Sequence, residues 1–264
     1  MISTVIRGGV GNQMFQIAAA YALALNNNDE CAFDMNIKRT YHGVVHQGRA
    51  ASCYFNSLYR NIKQLPADWK SKNKYIEPEG SPYAQIPYKE DLLLFGYFQS
   101  DKYFEGQYNA VRSLFTDSRL IDLLWGEYRH ILSDSVAIHV RRGDYIKFPD
   151  VHTILDISYY RKALEYLRKR TNIHNIVVFS DDIPWCREYF KEKNTTFIER
   201  EEDHEEMYLM SLCTHNIISN STFSWWGAFL NINEDKIVVA PKRWFAPDCT
   251  HEWEKIYTKD MIII

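Results

Sequence analysis

The chain has 264 residues, with 31 basic and 34 acidic side chains and a formal net charge of −3, so its overall charge does not favour binding to nucleic acid. Hydrophobic residues make up 46% and charged residues 25% of the chain, a balance that excludes extensive disorder. No stretch approaches the ~18–20 apolar residues of a membrane-spanning helix.

The five cysteines are scattered and contain no Cys-x-x-Cys pair, so neither a disulfide framework nor a zinc site is predicted. This pattern favours a reducing compartment. The first residues, MISTVIRGGVGNQ, lead into a predicted strand without the apolar segment of a signal peptide. We therefore expect a cytoplasmic protein, and peripheral contact with the inner face of the cell membrane stays open.

The N-terminal third of the chain predicts one β-α-β unit followed by irregular structure. STVIRGG is predicted as a strand with a glycine turn, NQMFQIAAAYALALNNN as a helix, and CAFDM as a second strand. Residues 36–90 are predicted to be loops with little regular structure. LLLFGYF (92–98) is predicted as a buried strand, and DKYFEGQYNAVRSLF and RLIDLLWGEYRHIL as helices.

A domain boundary is predicted near residue 133, which divides the chain into domains 1–133 and 134–264. Beyond the boundary, predicted strands alternate with predicted helices, and the strands are SVAIHV, NIVVFS, TTFIE, HNIIS and KIVVA. This alternation predicts an α/β fold with a parallel sheet and helices on both of its faces. Ligands of such sheets bind at the carboxyl ends of the strands, so the segments that follow the strands are the candidate sites.

Two adjacent arginines follow the first of these strands, in the stretch AIHVRRGDYIKF (137–148). Neighbouring side chains at a strand end point to opposite faces, so Arg141 and Arg142 reach one ligand only if the chain turns at Gly143. A guanidinium binds phosphate oxygens through two parallel hydrogen bonds, which predicts a local diphosphate site. The alternative is that both arginines form structural ion pairs with Asp144, with Asp150 or with the acidic starts of helices.

Two further turns carry groups suited to a polar ligand. In ISNSTFSWWG (218–227), hydroxyls and free N–H groups at a helix N-terminus suit an anion, although ordinary helix capping explains them equally well. The glycine turn GGVGNQ (8–13) lacks the spacing of a dinucleotide-binding loop. Its Asn12 and Gln13 are suited to cap the helix or to bind a sugar hydroxyl.

Two acidic stretches are further candidate ligand sites. In FSDD (179–182), Asp181 and Asp182 carry oxygens suited to a metal, but one of them is explained most simply as a helix N-cap, because Pro184 follows at the start of a helix. The chain has no Asp-x-Asp string, and no metal is expected. The run EEDHEEM (201–207) is typical of a solvated helix start, although a carboxylate there is also suited to the donor edge of a guanine.

Three blocks of the sequence together resemble one family. GGVGNQMFQIAAAYALA, HVRRGDY and YLMSLCTHNIISNSTFSWWGAFLN are similar, in order and spacing, to the α-1,2-fucosyltransferases of glycosyltransferase family 11, in particular to bacterial members. The resemblance implies a GT-B-like fold, with two Rossmann-like domains facing a cleft. The domain 1–133 would lie on the acceptor side, and the domain 134–264 would bind GDP-fucose.

The resemblance also implies roles for individual residues. Arg141 would bind the β-phosphate, and His139 would lie beside the nucleotide. Ser221 and Thr222 would add phosphate contacts. The two remaining positions are Glu206, which would bind the guanine, and Asn12, which would face the fucose and the phosphates.

The implied reaction is an inverting transfer of L-fucose from GDP-fucose to the 2-hydroxyl of a β-galactoside, in surface polysaccharide or O-antigen synthesis, without a metal or another cofactor. The candidates for a base are Asp144, Asp150 and His152, in that order, and bracing of Arg141 is the alternative role for Asp144. The acceptor would be a galactose-terminated glycan or a lipid-linked oligosaccharide. Transfer to another linkage or from another GDP-sugar, and a non-catalytic sugar-binding module, remain the alternatives.

Overall fold

The structure is a computed structural model that describes residues 1–35, 40–41, 44–45, 49–78, 83–249 and 254–264. The chain divides into two compact units, Met1–Asp117 with Glu254–Thr258, and Ser118–Trp253 with Lys259–Ile264. The elements of the first unit are β1 (Ile2–Thr4), α1 (Val10–Asn26), β2 (Thr40–Tyr41), β3 (Val44–Val45), β4 (Asn73–Ile76), β5 (Leu92–Phe95) and α2 (Tyr108–Leu114).

The first unit is built on a parallel sheet in the order β1-β5-β4. Helix α1 packs against β1 and is buried along most of its length, as its alanine-rich sequence predicts. Two buried glutamines on α1 fix the glycine turn that precedes it. Gln13 donates from Nε2 to the carbonyl of Gly8 (2.9 Å), and Gln16 accepts from the backbone N–H of Arg7 (2.9 Å).

Three predictions for the first unit are wrong in detail. CAFDM forms only isolated bridges, at Cys31 and Phe33, because each of these residues pairs with a different neighbour. The region 36–90, predicted as loops, contains the two-residue strands β2 and β3 and the four-residue edge strand β4, in which Lys74 and Ile76 are exposed, so no buried alternating pattern marks it. The predicted helix DKYFEGQYNAVRSLF is interrupted at Gly106, whose φ of +83° is incompatible with a continuous helix.

The elements of the second unit are α3 (Ser118–Leu132), β6 (Ser135–Val140), α4 (Ile157–Arg168), β7 (Asn175–Ser180), α5 (Ile183–Tyr189), β8 (Thr195–Ile198), α6 (Asp203–Leu212), β9 (His215–Ile217), α7 (Thr222–Leu230), β10 (Val238–Ala240) and β11 (Met261–Ile263). The strands form a six-stranded sheet in the order β11-β10-β9-β6-β7-β8, and every neighbouring pair is parallel. The expected α/β class with parallel sheets is confirmed.

The second unit differs from its prediction at both ends. Helix α3, which the predicted boundary near residue 133 assigned to the N-terminal domain, belongs to the second unit because it packs against α6 and β7. Strand β11, which was not predicted, adds the last residues of the chain to the edge of the sheet beside β10. Strand β6 is central and completely buried, so its carboxyl end is held by strands on both sides.

Candidate functional site

The sheet of the second unit has a topological switch point between β6 and β9. From β6 the chain continues to β7 and β8 on one side, whereas from β9 it continues to β10 and β11 on the other. In open parallel sheets, ligands bind outside the carboxyl ends of the two strands at such a point. The predicted arginines follow β6 and the segment SNST follows β9, so the fold brings both to this position.

Arg141 lies between two carboxylates. Its Nη2 is 2.6 Å from Oδ1 of Asp144, and its Nη1 is 3.1 Å from Oδ2 of Asp181. The ring of Tyr145 lies below the guanidinium, 5.3 Å from Cζ to the ring centroid. The side chain nevertheless stays 33% exposed, so the guanidinium is fixed in orientation and still accessible to a ligand.

Arg142 points away from Arg141, as the strand geometry predicts, and it forms the structural ion pair that was the alternative prediction. Its Nε donates to Oδ2 of Asp182 at 3.1 Å, and its guanidinium stacks on Trp185, 4.3 Å from the ring centroid. Asp182 also accepts from the backbone N–H of Trp185 (3.2 Å), so the predicted N-cap of α5 is present. Arg142 therefore stabilises the start of α5.

Asp181, predicted from the sequence to be a metal ligand or a helix cap, instead contacts the arginine turn. The strands β6 and β7 pair in register, with Val140 opposite Ser180, so the next residues, Arg141 and Asp181, are neighbours. The backbone N–H of Arg142 also donates to Oδ1 of Asp181 at 2.8 Å. A Cβ on Gly143 would lie 2.6 Å from Oδ2 of Asp181, so glycine is required for this close approach.

His139 is buried at the end of β6, with 5% of its surface exposed. Its Nδ1 lies 2.7 Å from Oγ of Ser219, and this contact joins β6 to the segment that follows β9. The pKa of His139 is lowered to about 3, mainly by burial; the charge of Asp181 opposes the shift and the charge of Arg141 adds to it. The imidazole is therefore neutral near pH 7 and acts as a hydrogen-bonding link.

The segment after β9 is held in place by its own side chains. Ser221 caps α7 by accepting from the backbone N–H of Phe223 (3.3 Å), so the capping interpretation holds for its hydroxyl. Asn220 donates from Nδ2 to the carbonyls of Thr153 (2.9 Å) and Trp244 (2.7 Å). Thr222, the first residue of α7, is partly exposed. The N-terminus of α7 is thus fixed beside the end of β6.

The hydroxyl of Tyr145 donates to the carbonyl of Asn220 at 3.0 Å. Tyr145, Ser219 and Asn220 were not singled out from the sequence, although all three lie in quoted stretches. The Tyr145 contact connects the Arg141 turn with the start of α7, and Ser219 connects the same segment with His139 at the end of β6. Such long-range contacts leave no local signal in the sequence.

The three predicted bases differ in their surroundings. Asp144 is engaged with Arg141. The imidazole of His152 stacks on the ring of Tyr145, with centroids 3.8 Å apart and planes 4° from parallel. Asp150 is exposed. Asp144 and His152 therefore belong to the arginine site through direct contacts, whereas Asp150 is near it only in the sequence.

Glu206 lies in the first turn of α6, which follows β8 at the same edge of the sheet. Its Oε1 accepts from the backbone N–H of Arg200 at 3.1 Å. Burial raises the pKa of Glu206 to about 7, and this hydrogen bond partly opposes the shift. No contact between Glu206 and the Arg141 cluster is found in the described part of the chain, so its predicted role with guanine stays a prediction.

Asn12 belongs to the first unit and is held by a residue that the sequence analysis did not single out. Its Oδ1 accepts from Nε2 of Gln99 at 2.8 Å, on the segment after β5. The side chain lies against Gly8, whose φ is +81° and which has no room for a Cβ because Nδ2 of Asn12 would be 2.8 Å away. The asparagine is thus fixed at the carboxyl edge of this sheet.

Neither a metal site nor a membrane span appears in the residues that the structure describes. No group of three or more histidine, cysteine, aspartate or glutamate side chains there is arranged to hold a metal ion. None of the described helices is long and apolar enough to cross a membrane.

The fold resembles that of POFUT1, which has been solved in complex with GDP. The two chains superpose with a TM-score of 0.50 at 10% sequence identity, over 90% of this chain and 97% of POFUT1. At this identity the likeness concerns the fold alone, and it confirms the predicted fold class, α/β and GT-B-like.

Similarity in sequence is closer and extends over most of the chain. The chain is 30% identical to an alpha-1,2-colitosyltransferase of Escherichia coli (95% of this chain, 97% of that protein) and 31% identical to the O-antigen biosynthesis glycosyltransferase WbnK of Escherichia coli (91% and 94%). It is also 31% identical to the galactoside alpha-(1,2)-fucosyltransferase 1 of Bos taurus (85% and 64%). The family model for glycosyl transferase family 11 matches residues 68–264. The chain belongs to glycosyl transferase family 11.

Proposed function

We propose that the protein transfers L-fucose from GDP-fucose to the 2-hydroxyl of a β-galactoside, with inversion and without a metal. The observation that carries the proposal is Arg141, an accessible guanidinium fixed by Asp144 and Asp181 at the switch point of the sheet. Such a preorganised cation suits a diphosphate. The galactoside alpha-(1,2)-fucosyltransferase among the relatives supports fucose as the transferred sugar and supports this linkage.

In the proposed reaction, the bond from the anomeric carbon of fucose to the β-phosphate breaks while the acceptor oxygen forms a bond on the opposite face. Negative charge then develops on the departing GDP. The guanidinium of Arg141 stabilises this charge, and the backbone N–H groups at the start of α7, with Ser221 and Thr222, add to the effect. These groups are already oriented before the reaction, so little reorganisation is required.

The proton of the acceptor hydroxyl goes to a carboxylate, an imidazole or solvent. The ion pair with Arg141 favours Asp144 as a positioning group, in agreement with the alternative role considered for it. Asp150 and His152 remain the candidates for the base, and both follow the arginine turn closely in the chain.

A second donor is supported by the similarity to the colitosyltransferase. Colitose is fucose without the 3-hydroxyl, so both donors can share the same GDP contacts. A site that binds the 3-hydroxyl through buried polar groups rejects the deoxy sugar strongly, whereas a site without such contacts does not. The ratio of kcat/KM for GDP-fucose and GDP-colitose therefore separates the two donors.

The decisive experiment measures GDP release from GDP-fucose, with and without lactose, in the presence of a chelator. The wild type is compared with Arg141→Ala and with the control Arg187→Ala. Arg187 forms an exposed ion pair with Glu199 on the surface. We expect acceptor-dependent release that survives the chelator, that falls ~10²–10³-fold in Arg141→Ala and that is unchanged in Arg187→Ala. Product linkage is then read by NMR.

Each component of the proposal has its own contradicting result. Loss of release in chelator contradicts metal independence, and absence of GDP-fucose binding contradicts the donor site. Binding without turnover on any galactoside supports the non-catalytic module instead. The WbnK relative supports an acceptor within O-antigen synthesis, and transfer to a lipid-linked, galactose-terminated oligosaccharide at the cytoplasmic face of the membrane would test that assignment.

A further inference from the structure

The first unit contains a cavity of about 530 Å³ at the C-terminal end of α1. Helix α1 has 17 residues, so at ~1.5 Å per residue its two ends are roughly 25 Å apart. The glycine turn and Asn12 lie at the N-terminal end, and Asn26 lies beside the cavity. The cavity is therefore separate from the turn that was predicted to face the donor.

The residues around the cavity combine aromatic rings with uncharged polar groups. They include Asn26, Tyr83, Gln85, Tyr88, Lys102 and Glu105. Among the described lining residues, the charges of Lys102 and Glu105 balance, so these side chains do not favour an ion. Flat rings suit the apolar faces of a sugar ring, and amides suit its hydroxyls. The volume of the cavity lies within the range of small-molecule sites.

The cavity is built before any ligand arrives. Gln107 donates from Nε2 to Oδ1 of Asn26 at 2.7 Å, which orients that amide. Tyr83 packs edge-on against Tyr103, with ring centroids 4.9 Å apart. The hydroxyl of Tyr88 lies 3.4 Å from Oδ2 of Asp29, while its side chain remains 39% exposed. The rings and the amide are thus held in place while part of the tyrosine surface stays open.

We propose that this cavity binds a neutral saccharide unit and holds a distant part of a long acceptor glycan. Its assignment to the acceptor rests on the proposed function, whereas saccharide binding itself does not. Because the cavity and the glycine turn are at opposite ends of α1, the sugar bound here is not the one that reacts. Acceptor length, in addition to the terminal galactose, then contributes to recognition.

Ligand-observed NMR titrations with lacto-N-neotetraose, without donor, test the binding. The variants are Tyr88→Ala, Tyr88→Phe and Phe55→Ala, and the last is the control because Phe55 is equally exposed (40%) on the same unit. We expect Tyr88→Ala to weaken binding about three- to tenfold, the effect of losing one aromatic contact. Tyr88→Phe keeps the ring and should bind like the wild type, as should Phe55→Ala.

Transfer kinetics provide the second measurement. We expect Tyr88→Ala to raise KM for a galactose-terminated poly-N-acetyllactosamine that is long enough to span the length of α1, while KM and kcat for lactose stay unchanged. Absence of binding in the wild type, or equal binding by the wild type and Tyr88→Ala, overturns the proposal. If Arg141→Ala retains full transfer while Tyr88→Ala loses saccharide binding, the proposed function fails and the cavity assignment stands.

Discussion

Arg141 and Asp144 form an ion pair, 2.6 Å from Nη2 to Oδ1, within a single turn of the chain at the end of the central strand. The guanidinium is thereby oriented by a neighbour three positions along, while Asp181 from the adjacent strand holds its other nitrogen. An arginine held on two sides is suited to stabilise charge that appears only in the transition state.

Asp144→Asn tests whether Asp144 positions this arginine. The amide still accepts a hydrogen bond, but the charge that anchors the guanidinium is lost. We expect kcat to fall tenfold or more, roughly the cost of a small misplacement of a catalytic group, with Kd for GDP nearly unchanged. Isothermal titration and GDP-release assays measure the two quantities. A large loss of GDP affinity or of the thermal midpoint would instead mean that the residue maintains the fold of the site.

Gly143→Ala tests the approach of Asp181 to the arginine turn. The added methyl would lie 2.6 Å from Oδ2 of Asp181, and this carboxylate is also held by the backbone N–H of Arg142. We expect turnover to fall at least tenfold because the contact with Arg141 is displaced. Gly126→Ala on α3 is the control, since nothing lies within 4 Å of its Cβ. Equal activity of both variants would contradict the proposed constraint.

The pH dependence of GDP binding tests Glu206. Its pKa is raised to about 7 by burial, so the carboxyl is protonated below pH 7 and ionised above it. Only the ionised form accepts two hydrogen bonds from the N–H donors of guanine. We therefore expect GDP affinity to rise as the pH increases from 6 to 8, and this rise to disappear in Glu206→Gln. An identical pH profile in the variant would remove Glu206 from the guanine site.

His139 should make the free energy of unfolding depend on pH below about pH 6.5. Its pKa is lowered to about 3 by burial, against ~6.5 in the unfolded chain, so between these values the unfolded state binds more protons. The free energy of unfolding therefore falls as the pH drops below 6.5, by at most about 1.4 kcal/mol per pH unit.

Glu206 has the opposite effect, because its pKa is raised in the folded protein. As the pH falls below 7 the folded state takes up the proton first, and the free energy of unfolding rises. Urea unfolding is therefore compared between Glu206→Gln and the double variant Glu206→Gln/His139→Asn. We expect the double variant to lose less stability between pH 6.5 and 5. If both lose stability equally, His139 is not the titrating group.

The ion pair of Lys255 and Glu77 should stabilise the first unit. Its side chains are only 15% and 10% exposed, with Nζ and Oε1 3.0 Å apart. Glu77 also accepts from the backbone N–H groups of Tyr97 and Phe98 on the segment after β5. Breaking a buried pair by removing one partner typically costs ~3–5 kcal/mol, so we expect a loss of that order for Lys255→Met.

The matched control is Lys63→Met, which breaks an exposed pair with Glu30. Exposed pairs typically contribute less than about 1 kcal/mol. Urea denaturation measures the free energy of unfolding of both variants, and Lys255→Arg should recover part of the loss. A loss below 1 kcal/mol in Lys255→Met would show that the segment 254–258 does not depend on this contact.

The sequence alone determined the features that depend on neighbours along the chain. The alternation of strands and helices in the second unit and an aspartate cap on α5 follow from periodicity and from hydrogen bonds within a few residues. Capping of α7 was one of the two interpretations of the SNST segment, and the structure shows that Ser221 is the cap. The divergence of Arg141 and Arg142 follows from the two-residue period of a strand. These features need no knowledge of which strands are neighbours.

Only the tertiary structure decided which distant residues meet. Asp181 reaches Arg141 because β6 and β7 pair in register, Ser219 reaches His139 because β9 lies beside β6, and Gln99 reaches Asn12 from the segment after β5. Edge strands β4 and β11 and the placement of α3 were likewise not evident, because they depend on partners far along the chain. Such pairings are selected by the packing of the whole sheet, and no local pattern of residues encodes them.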